Sequence, residues 1–239
     1  MATVSLAPAG RGTYVSIEQA FDAYRRGDWA VAERMFAEIL QASPHHFDAL
    51  HLLGVLRTGQ GQCAEAVRLI KRALKINPHF ADARYNLGVA LQRLGKHREA
   101  VACYRQVLNL APQHLGSCNN LGIALHLLGH LDEAVKVFQL PLALLPNFAK
   151  GHYNVGRVLT EMERREEAVA IHQEALRIKP DYVDALNNLG GVYEALSRYP
   201  EAVDVFTRAL RLAPVNAEIQ NNLGAVLGRL DRKSTRLNS

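Results

Sequence analysis

A spacing of 34 residues governs this chain and limits what it can fold into. Alanine, proline, glycine and leucine each recur at that interval, and six of the nine prolines obey it. Four residue types locked to one period indicate stacked supersecondary units that share a continuous core with their neighbours. The recurring residues run from Ala32 to Ala202, from Pro44 to Pro214, from Gly54 to Gly224 and from Leu40 to Leu210.

Each unit contains two amphipathic segments, which we call helix A and helix B. We number every unit 1 to 34 so that its proline is position 32. In the third unit, apolar residues at helical spacing predict helix A over 83–94 and helix B over 100–110, separated by Gly95 and Lys96. Pro112 ends helix B, because proline disfavours helical geometry in the residue before it. The pattern therefore predicts antiparallel helix pairs.

A glycine at position 8, inside helix A, requires an explanation because it costs about 1 kcal/mol relative to alanine. Position 20 in helix B is alanine, so we expect the two small residues to let the helix backbones approach closely. In the third unit these residues are Gly88 and Ala100, with Tyr104 supplying bulk beside them. The pair recurs as Gly122 with Ala134, Gly156 with Ala168, and Gly190 with Ala202.

The sixth unit carries a recognisable series at fixed offsets, namely Leu189, Gly190, Tyr193, Ala202, Phe206, Ala209 and Pro214. This series resembles the tetratricopeptide repeat signature, and the resemblance covers residues 13–230. It implies an all-α fold, a right-handed superhelical solenoid of antiparallel helix pairs, and a role in binding other proteins. We expect an N-terminal tail at 1–12, then six full repeats and helix A of a seventh over 13–230.

The pattern stops inside the seventh unit, after Leu230. Residues 231–239 resemble the translation of a sequencing-library adapter, so we expect a non-native tail on a fragment of a longer gene. The last helix would then expose apolar side chains where a partner helix belongs, and a free apolar end promotes self-association. The residues expected to be exposed are Leu223, Val226, Leu227 and Leu230.

Asparagine recurs at position 6 of helix A, outside the apolar arc of that helix. Asparagine is an indifferent helix former, and its carboxamide can pair with both the N–H and the C=O of an extended peptide. We therefore predict a peptide-binding row on the concave face, with Tyr85 and Tyr153 at position 5 adding side-chain contacts. Position 9 supplies a mostly apolar floor, interrupted by Arg157. The predicted row is Asn86, Asn120, Asn154, Asn188 and Asn222.

Other interpretations of these asparagines remain open. They could be solvated, or they could hydrogen-bond neighbouring helices and fix the stacking of the repeats. The row is similar to that of protein O-linked N-acetylglucosamine transferases, which implies that asparagines hold substrate peptides along the groove. Two alternative functions follow: the array could be the substrate-recruiting arm of a larger glycosyltransferase, or it could organise an oligomer through its ends. A clamp for a terminal carboxylate is disfavoured, since position 2 is mostly acidic.

Charge and composition exclude several classes of partner. The net charge is +5 and is scattered along the chain, so we expect no nucleic-acid partner. No run of 18 apolar residues lacks a charge, so we expect no membrane partner. The three cysteines form no CxxC pair and the N-terminus resembles no secretory signal, which favours the cytoplasm.

Catalytic and metal-binding motifs are missing from the sequence. His126 and His130 have the i, i+4 spacing of a metal pair but no third ligand nearby, so we expect a surface pair. The sequence contains no nucleophile elbow and no glycine-rich phosphate loop. We therefore expect no cofactor and no enzymatic activity in this chain by itself.

Overall fold

The computed structural model describes residues 15–237, with side chains described from 15 to 232. The expected N-terminal tail at 1–12 lies outside the described residues. The chain divides into two compact units, Met1–Lys96 and His97–Ser239. Each unit is described below by itself.

Thirteen α-helices, and no strand, occur in the described residues. Their fold class is an all-α helical repeat solenoid, as the 34-residue period predicts. The first unit contains α1 (Ile17–Arg26), α2 (Trp29–Ala42), α3 (Phe47–Gly59), α4 (Cys63–Ile76) and α5 (Ala81–Arg93). The second contains α6 (His97–Leu110), α7 (Leu115–Leu127), α8 (Leu131–Leu144), α9 (Ala149–Glu161), α10 (Arg165–Ile178), α11 (Val183–Ala195), α12 (Tyr199–Leu212) and α13 (Ala217–Leu237).

Helices A and B of one repeat pack against each other as antiparallel hairpins. In the second unit these hairpins are α7 with α8, α9 with α10, and α11 with α12, and the A helices α9 and α11 also contact each other. The turn inside each hairpin needs one residue of left-handed conformation, which is glycine in the earlier repeats. Glu163 and Ser197 occupy that place in the last two turns, with φ of 58° and 57°.

The core of each hairpin forms where position 8 of helix A meets position 24 of helix B. A methyl group added to Gly190 would lie 2.6 Å from the Phe206 ring, and one added to Gly122 would lie 2.5 Å from the Phe138 ring. In the first unit, a methyl group on Gly54 would also lie 3.4 Å from the carbonyl oxygen of Ala66 at position 20, so the two backbones approach closely there, as predicted. The alanines at position 20 are buried, and four glycines at position 8 make room for a large side chain at position 24, namely Gly54, Gly122, Gly156 and Gly190.

Helix α13 continues to Leu237 and so does not end at residue 230. The origin of residues 231–239 stays a prediction. The prediction that the apolar side chains of α13 are exposed is partly wrong. Val226 is fully buried, and Leu223 and Leu230 are half-buried. Val226 is buried because α13 packs on α12 and contacts α11. Leu227 is 46% exposed.

Candidate functional site

The position 6 asparagines of the second unit bond the preceding repeat. The carboxamide of Asn154 donates from Nδ2 to Oδ1 of Asn119 over 2.9 Å. Asn222 donates in the same way to Asn187 over 3.1 Å. In the repeat between them, Asn188 lies close enough to Tyr153 to lower the pKa of the tyrosine, although burial raises that pKa overall. Asn154 and Asn222, at position 6, therefore each hydrogen-bond the residue at position 5 of the repeat before it, 35 residues earlier.

The first unit contains the same connection with a different partner. Nδ2 of Asn86 lies 2.9 Å from Nε2 of His51, again 35 residues earlier. Since the amide nitrogen can only donate, Nε2 of His51 accepts and the ring proton lies on Nδ1. The His51 ring also contacts Phe47 and Phe80, and burial lowers the pKa of this histidine.

These bonds bury the asparagines more than their helical position predicts. Asn154 is only 6% exposed, because Asn119 of the neighbouring helix covers it. The prediction that Asn154 lies outside the core was therefore wrong. Asn86, Asn120 and Asn188 are half-buried, and so is Asn222. A carboxamide has two N–H groups and one acceptor oxygen, and the bond of Asn154 to Asn119 uses one N–H. The arrangement holds each amide in a fixed orientation.

A second row of bonds runs beside the first, between position 12 of one repeat and position 13 of the next. In the second unit it pairs His126 with Glu161, and Glu194 with Arg229 over 2.9 Å. In the first unit Arg93 donates to the carbonyl oxygen of Thr58 over 2.7 Å. The sequence analysis missed this row, although residues of complementary type 35 apart were visible in the sequence. We call positions 5, 6, 9, 12 and 13 of the A helices the A-helix face.

Position 9 lies between the two rows. In the second unit its residues differ sharply in size and charge: Ile123 is half-buried, Arg157 is exposed, and Gly191 has no side chain. An open cleft of about 450 Å³ lies over Gly191 and is lined only by residues of A helices. We call it the Gly191 cleft, and its polar lining includes Arg157, Glu161, Asn187, Asn188, Glu218 and Asn222.

The two tyrosines predicted to add contacts lie on different units. Tyr153 lies on α9 with its ring centroid 4.9 Å from that of Tyr182, and the guanidinium carbon of Arg157 lies 5.8 Å from the Tyr153 centroid. Burial raises the pKa of Tyr153 and raises that of Tyr182 to about 12. Tyr85 is half-buried on α5 of the first unit.

Neither a metal centre nor a membrane span is found in residues 15–237. No group of three or more His, Cys, Asp or Glu side chains in the described part could hold a metal ion. His126 is engaged with Glu161, and His130 lies in the turn before α8. Among the described helices, none combines the length and the apolar character that crossing a bilayer requires.

Comparison with protein families identifies the repeat. Models described as tetratricopeptide repeat or TPR repeat match 17–58, 54–95, 81–114, 116–138 and 148–214. Together they extend from the first described repeat through the sixth. The chain belongs to the tetratricopeptide repeat family. The matched models describe the repeat itself, so the likeness to glycosyltransferase arrays stays a prediction from the asparagines.

Solved tetratricopeptide structures share the fold of this array. MamA from Desulfovibrio magneticus RS-1 is 22% identical, with 72% of this chain and 97% of that chain covered and a TM-score of 0.67. YrrB, described as a TPR protein with an unusual peptide-binding site, is 18% identical over 78% and 96%, with a TM-score of 0.65. PilW, a type IV pilus biogenesis factor, is 19% identical over 90% and 100%, with a TM-score of 0.75. No curated protein matches the chain significantly.

Proposed function

We propose that this array is a protein-interaction scaffold that binds an extended peptide along its A-helix face. Tetratricopeptide proteins are in general scaffolds for protein interactions. The observation that carries the proposal is that three of the position 6 carboxamides, those of Asn86, Asn154 and Asn222, each hydrogen-bond the repeat before them. Because a carboxamide offers two donors and one acceptor, a tied amide keeps hydrogen-bonding capacity for a second partner.

The hydrogen bonds between successive repeats explain how the A-helix face would bind a peptide without large side chains. A side chain that is already ordered loses little conformational entropy when a peptide arrives. Each neutral hydrogen bond contributes about 0.5 to 1.5 kcal/mol net, so useful affinity requires several asparagines to act together. Pairing with the peptide backbone would make the recognition tolerant of peptide sequence.

A selection experiment tests the proposal. A library of random twelve-residue peptides, acetylated and amidated at their ends, is selected on the full chain, and the enriched peptides are measured by fluorescence polarisation. Replacing Asn154, Asn188 and Asn222 together by Ala removes three bonding groups. We expect binding to weaken between roughly 10-fold and 2,000-fold, since three bonds contribute about 1.5 to 4.5 kcal/mol.

The matched control replaces two exposed asparagines that lie away from the A-helix face. Asn109 is on α6 and Asn147 is in the turn before α9, and both are exposed. The Asn109→Ala, Asn147→Ala variant should bind the selected peptides as the parent does. Circular dichroism at the assay temperature establishes that all variants are folded. Equal affinity in the triple variant and the parent would refute the proposal.

A second candidate function, self-association through α13, has its own observation. A methyl group added to Gly224 would have no neighbour within 4 Å among the described residues, whereas one added to Gly190 would meet the Phe206 ring. With Leu227 also exposed, this face of α13 is suited to covering by a second copy. Sedimentation equilibrium should show concentration-dependent association that Leu227→Glu abolishes. A monomer at the highest concentration would rule this function out.

Two further expectations concern a larger enzyme and the cellular compartment. No observation on the described residues favours the recruiting arm of a glycosyltransferase over a simple scaffold. We propose the cytoplasm as the compartment, because Cys63, Cys103 and Cys118 are all buried as free thiols, which suits a reducing environment.

A further inference from the structure

Gly191 has no packing role that explains its presence inside α11. Its neighbour Gly190 faces the Phe206 ring, and a methyl group there would lie 2.6 Å from that ring. A methyl group on Gly191, by contrast, would have nothing within 4 Å. Alanine would therefore fit at Gly191 and would stabilise the helix, because glycine is a poor helix former. What the glycine provides is open space on the A-helix face.

That space is the floor of the Gly191 cleft, and hydrogen-bonding groups surround it. Arg157 lies on α9 to one side and Glu218 on α13 to the other. Among the described residues Arg157 has no carboxylate within ion-pairing distance, and its partner is the Tyr153 ring. Arg157 therefore brings to the lining of the cleft a guanidinium whose N–H donors have no anionic partner among the described residues.

The carboxylates of the cleft are already held by neighbouring side chains. Glu161 is engaged by His126, and Glu218 accepts from Nδ2 of Asn187 over 2.9 Å. Each carboxylate has further lone pairs available. The lining therefore combines one strong donor with two acceptors and carries both signs of charge.

We propose that the Gly191 cleft is a specificity pocket for the side-chain carboxamide of a glutamine in the bound peptide. The carboxamide oxygen would accept from the Arg157 guanidinium, and its amide nitrogen would donate to the Glu218 carboxylate. A glutamate side chain would pair with Arg157 but would also lie beside two carboxylates, and a lysine side chain would pair with a carboxylate but would also lie beside Arg157. Glutamine satisfies both kinds of lining group without adding a charge. This proposal rests on the proposed binding of an extended peptide.

The experiment uses the same capped twelve-residue library, with one central position restricted to glutamine, glutamate, lysine and methionine. We expect the full chain to prefer glutamine at that position by about five-fold over each of the others, which corresponds to about one net hydrogen bond of 1 kcal/mol. Gly191→Leu fills the cleft and should remove the preference. Gly191→Ala should reduce it while keeping or raising the thermal midpoint, so that loss of folding cannot explain the change.

Asn109→Ala is the control variant. Asn109 is exposed on α6, a B helix, and lies away from the A-helix face. This variant should keep the preference for glutamine. Enrichment of glutamate or lysine, or a glutamine preference that survives Gly191→Leu, would overturn the specificity pocket.

The outcomes separate the two proposals. Binding that depends on Asn154, Asn188 and Asn222 but shows no preference at the restricted position would overturn only the pocket. Failure of the chain to enrich any peptide would overturn both the pocket and the peptide-binding face.

Discussion

The hairpins α9–α10 and α11–α12 are built on one plan and differ at the centre of their cores. In α11–α12, Gly190 faces Phe206, and the phenyl ring is fully buried. In α9–α10, Gly156 faces His172 at the equivalent position, and the imidazole is equally buried. Neither ring nitrogen of His172 has a hydrogen-bond partner within the described part of the chain.

The comparison shows that the shape of the side chain at position 24 matters more than its polarity. A flat ring fits over the glycine in both hairpins, with a methyl group on either glycine lying 2.6 Å from the ring opposite. The imidazole adds the cost of two buried polar atoms without partners, which is about 1 to 3 kcal/mol for each unsatisfied group. A repeat array can carry such a cost in one hairpin, because each repeat is also stabilised by its neighbours.

Replacing Phe206 of the α11–α12 hairpin by histidine should produce the largest loss of stability. Phe206→His removes buried apolar surface and adds unsatisfied nitrogens, so we expect a loss of about 4 kcal/mol in the free energy of unfolding. Urea unfolding followed by circular dichroism measures it. A loss below about 1 kcal/mol would mean that the buried nitrogens carry no cost and that the two hairpins do not differ energetically.

Acid should destabilise the α9–α10 hairpin selectively. Burial, with a smaller contribution from the Arg157 charge, lowers the pKa of His172 from its ordinary value of 6.5 to about 4. Tyr153 is the other titratable group in contact with the ring. Between these two values the unfolded chain binds a proton that the folded chain does not, so stability is full above about pH 6.5. It falls by about 3 kcal/mol as the pH drops to about 4.

Urea midpoints at several pH values test this dependence. His172→Phe should be more stable than the parent at neutral pH and should lose less stability on acidification. Part of the acid loss should remain, since the pKa of His51 is also lowered by burial. Identical pH profiles for parent and variant would contradict the assignment to His172.

Adding a methyl group at Gly190 should reduce stability by a smaller amount. Gly190→Ala places a methyl group 2.6 Å from a buried ring that has little freedom to move. Overpacking costs about 1 to 3 kcal/mol and the alanine returns about 1 kcal/mol of helix propensity, so we expect a net loss of about 1 kcal/mol. Thermal unfolding measures it, and a stabilised variant would show that the glycine is not needed for the ring.

Replacing the adjacent glycine, Gly191, should have the smallest effect, and that change should raise stability. Gly191→Ala adds its methyl group to open space, so we expect a gain of up to about 1 kcal/mol from helix propensity alone. The contrast with Gly190→Ala separates a glycine that packs from one that does not. A loss of stability in Gly191→Ala would contradict this distinction.

The period of 34 residues was sufficient to predict the fold, because the signals that begin and end each helix are local. The helices predicted over 83–94 and 100–110 are found at Ala81–Arg93 and His97–Leu110. Both begin slightly earlier than predicted, since the apolar pattern marks the buried face and the first turn of each helix is mostly polar. The same period places His172 in register with Phe206 at position 24, so its burial was predictable and was missed.

The bonds within the site were less accessible to sequence analysis. Asparagine recurs at position 6, but its partner at position 5 changes from His51 in the first unit to Asn119 and Asn187 in the second. No single residue type therefore marks the pair. The contact also depends on how closely successive A helices stack, which the period alone does not determine. The open space over Gly191 likewise depends on neighbouring helices and could not be predicted from its own repeat.

The most direct test of the peptide-binding face is an NMR titration of the full chain labelled with ¹⁵N only at asparagine. A peptide selected by the chain is added while the side-chain amide signals are followed. We expect the signals of Asn154, Asn188 and Asn222 to shift with the same concentration dependence as binding, while those of Asn109 and Asn147 stay fixed. Saturated binding with all three position 6 signals unmoved would contradict the account.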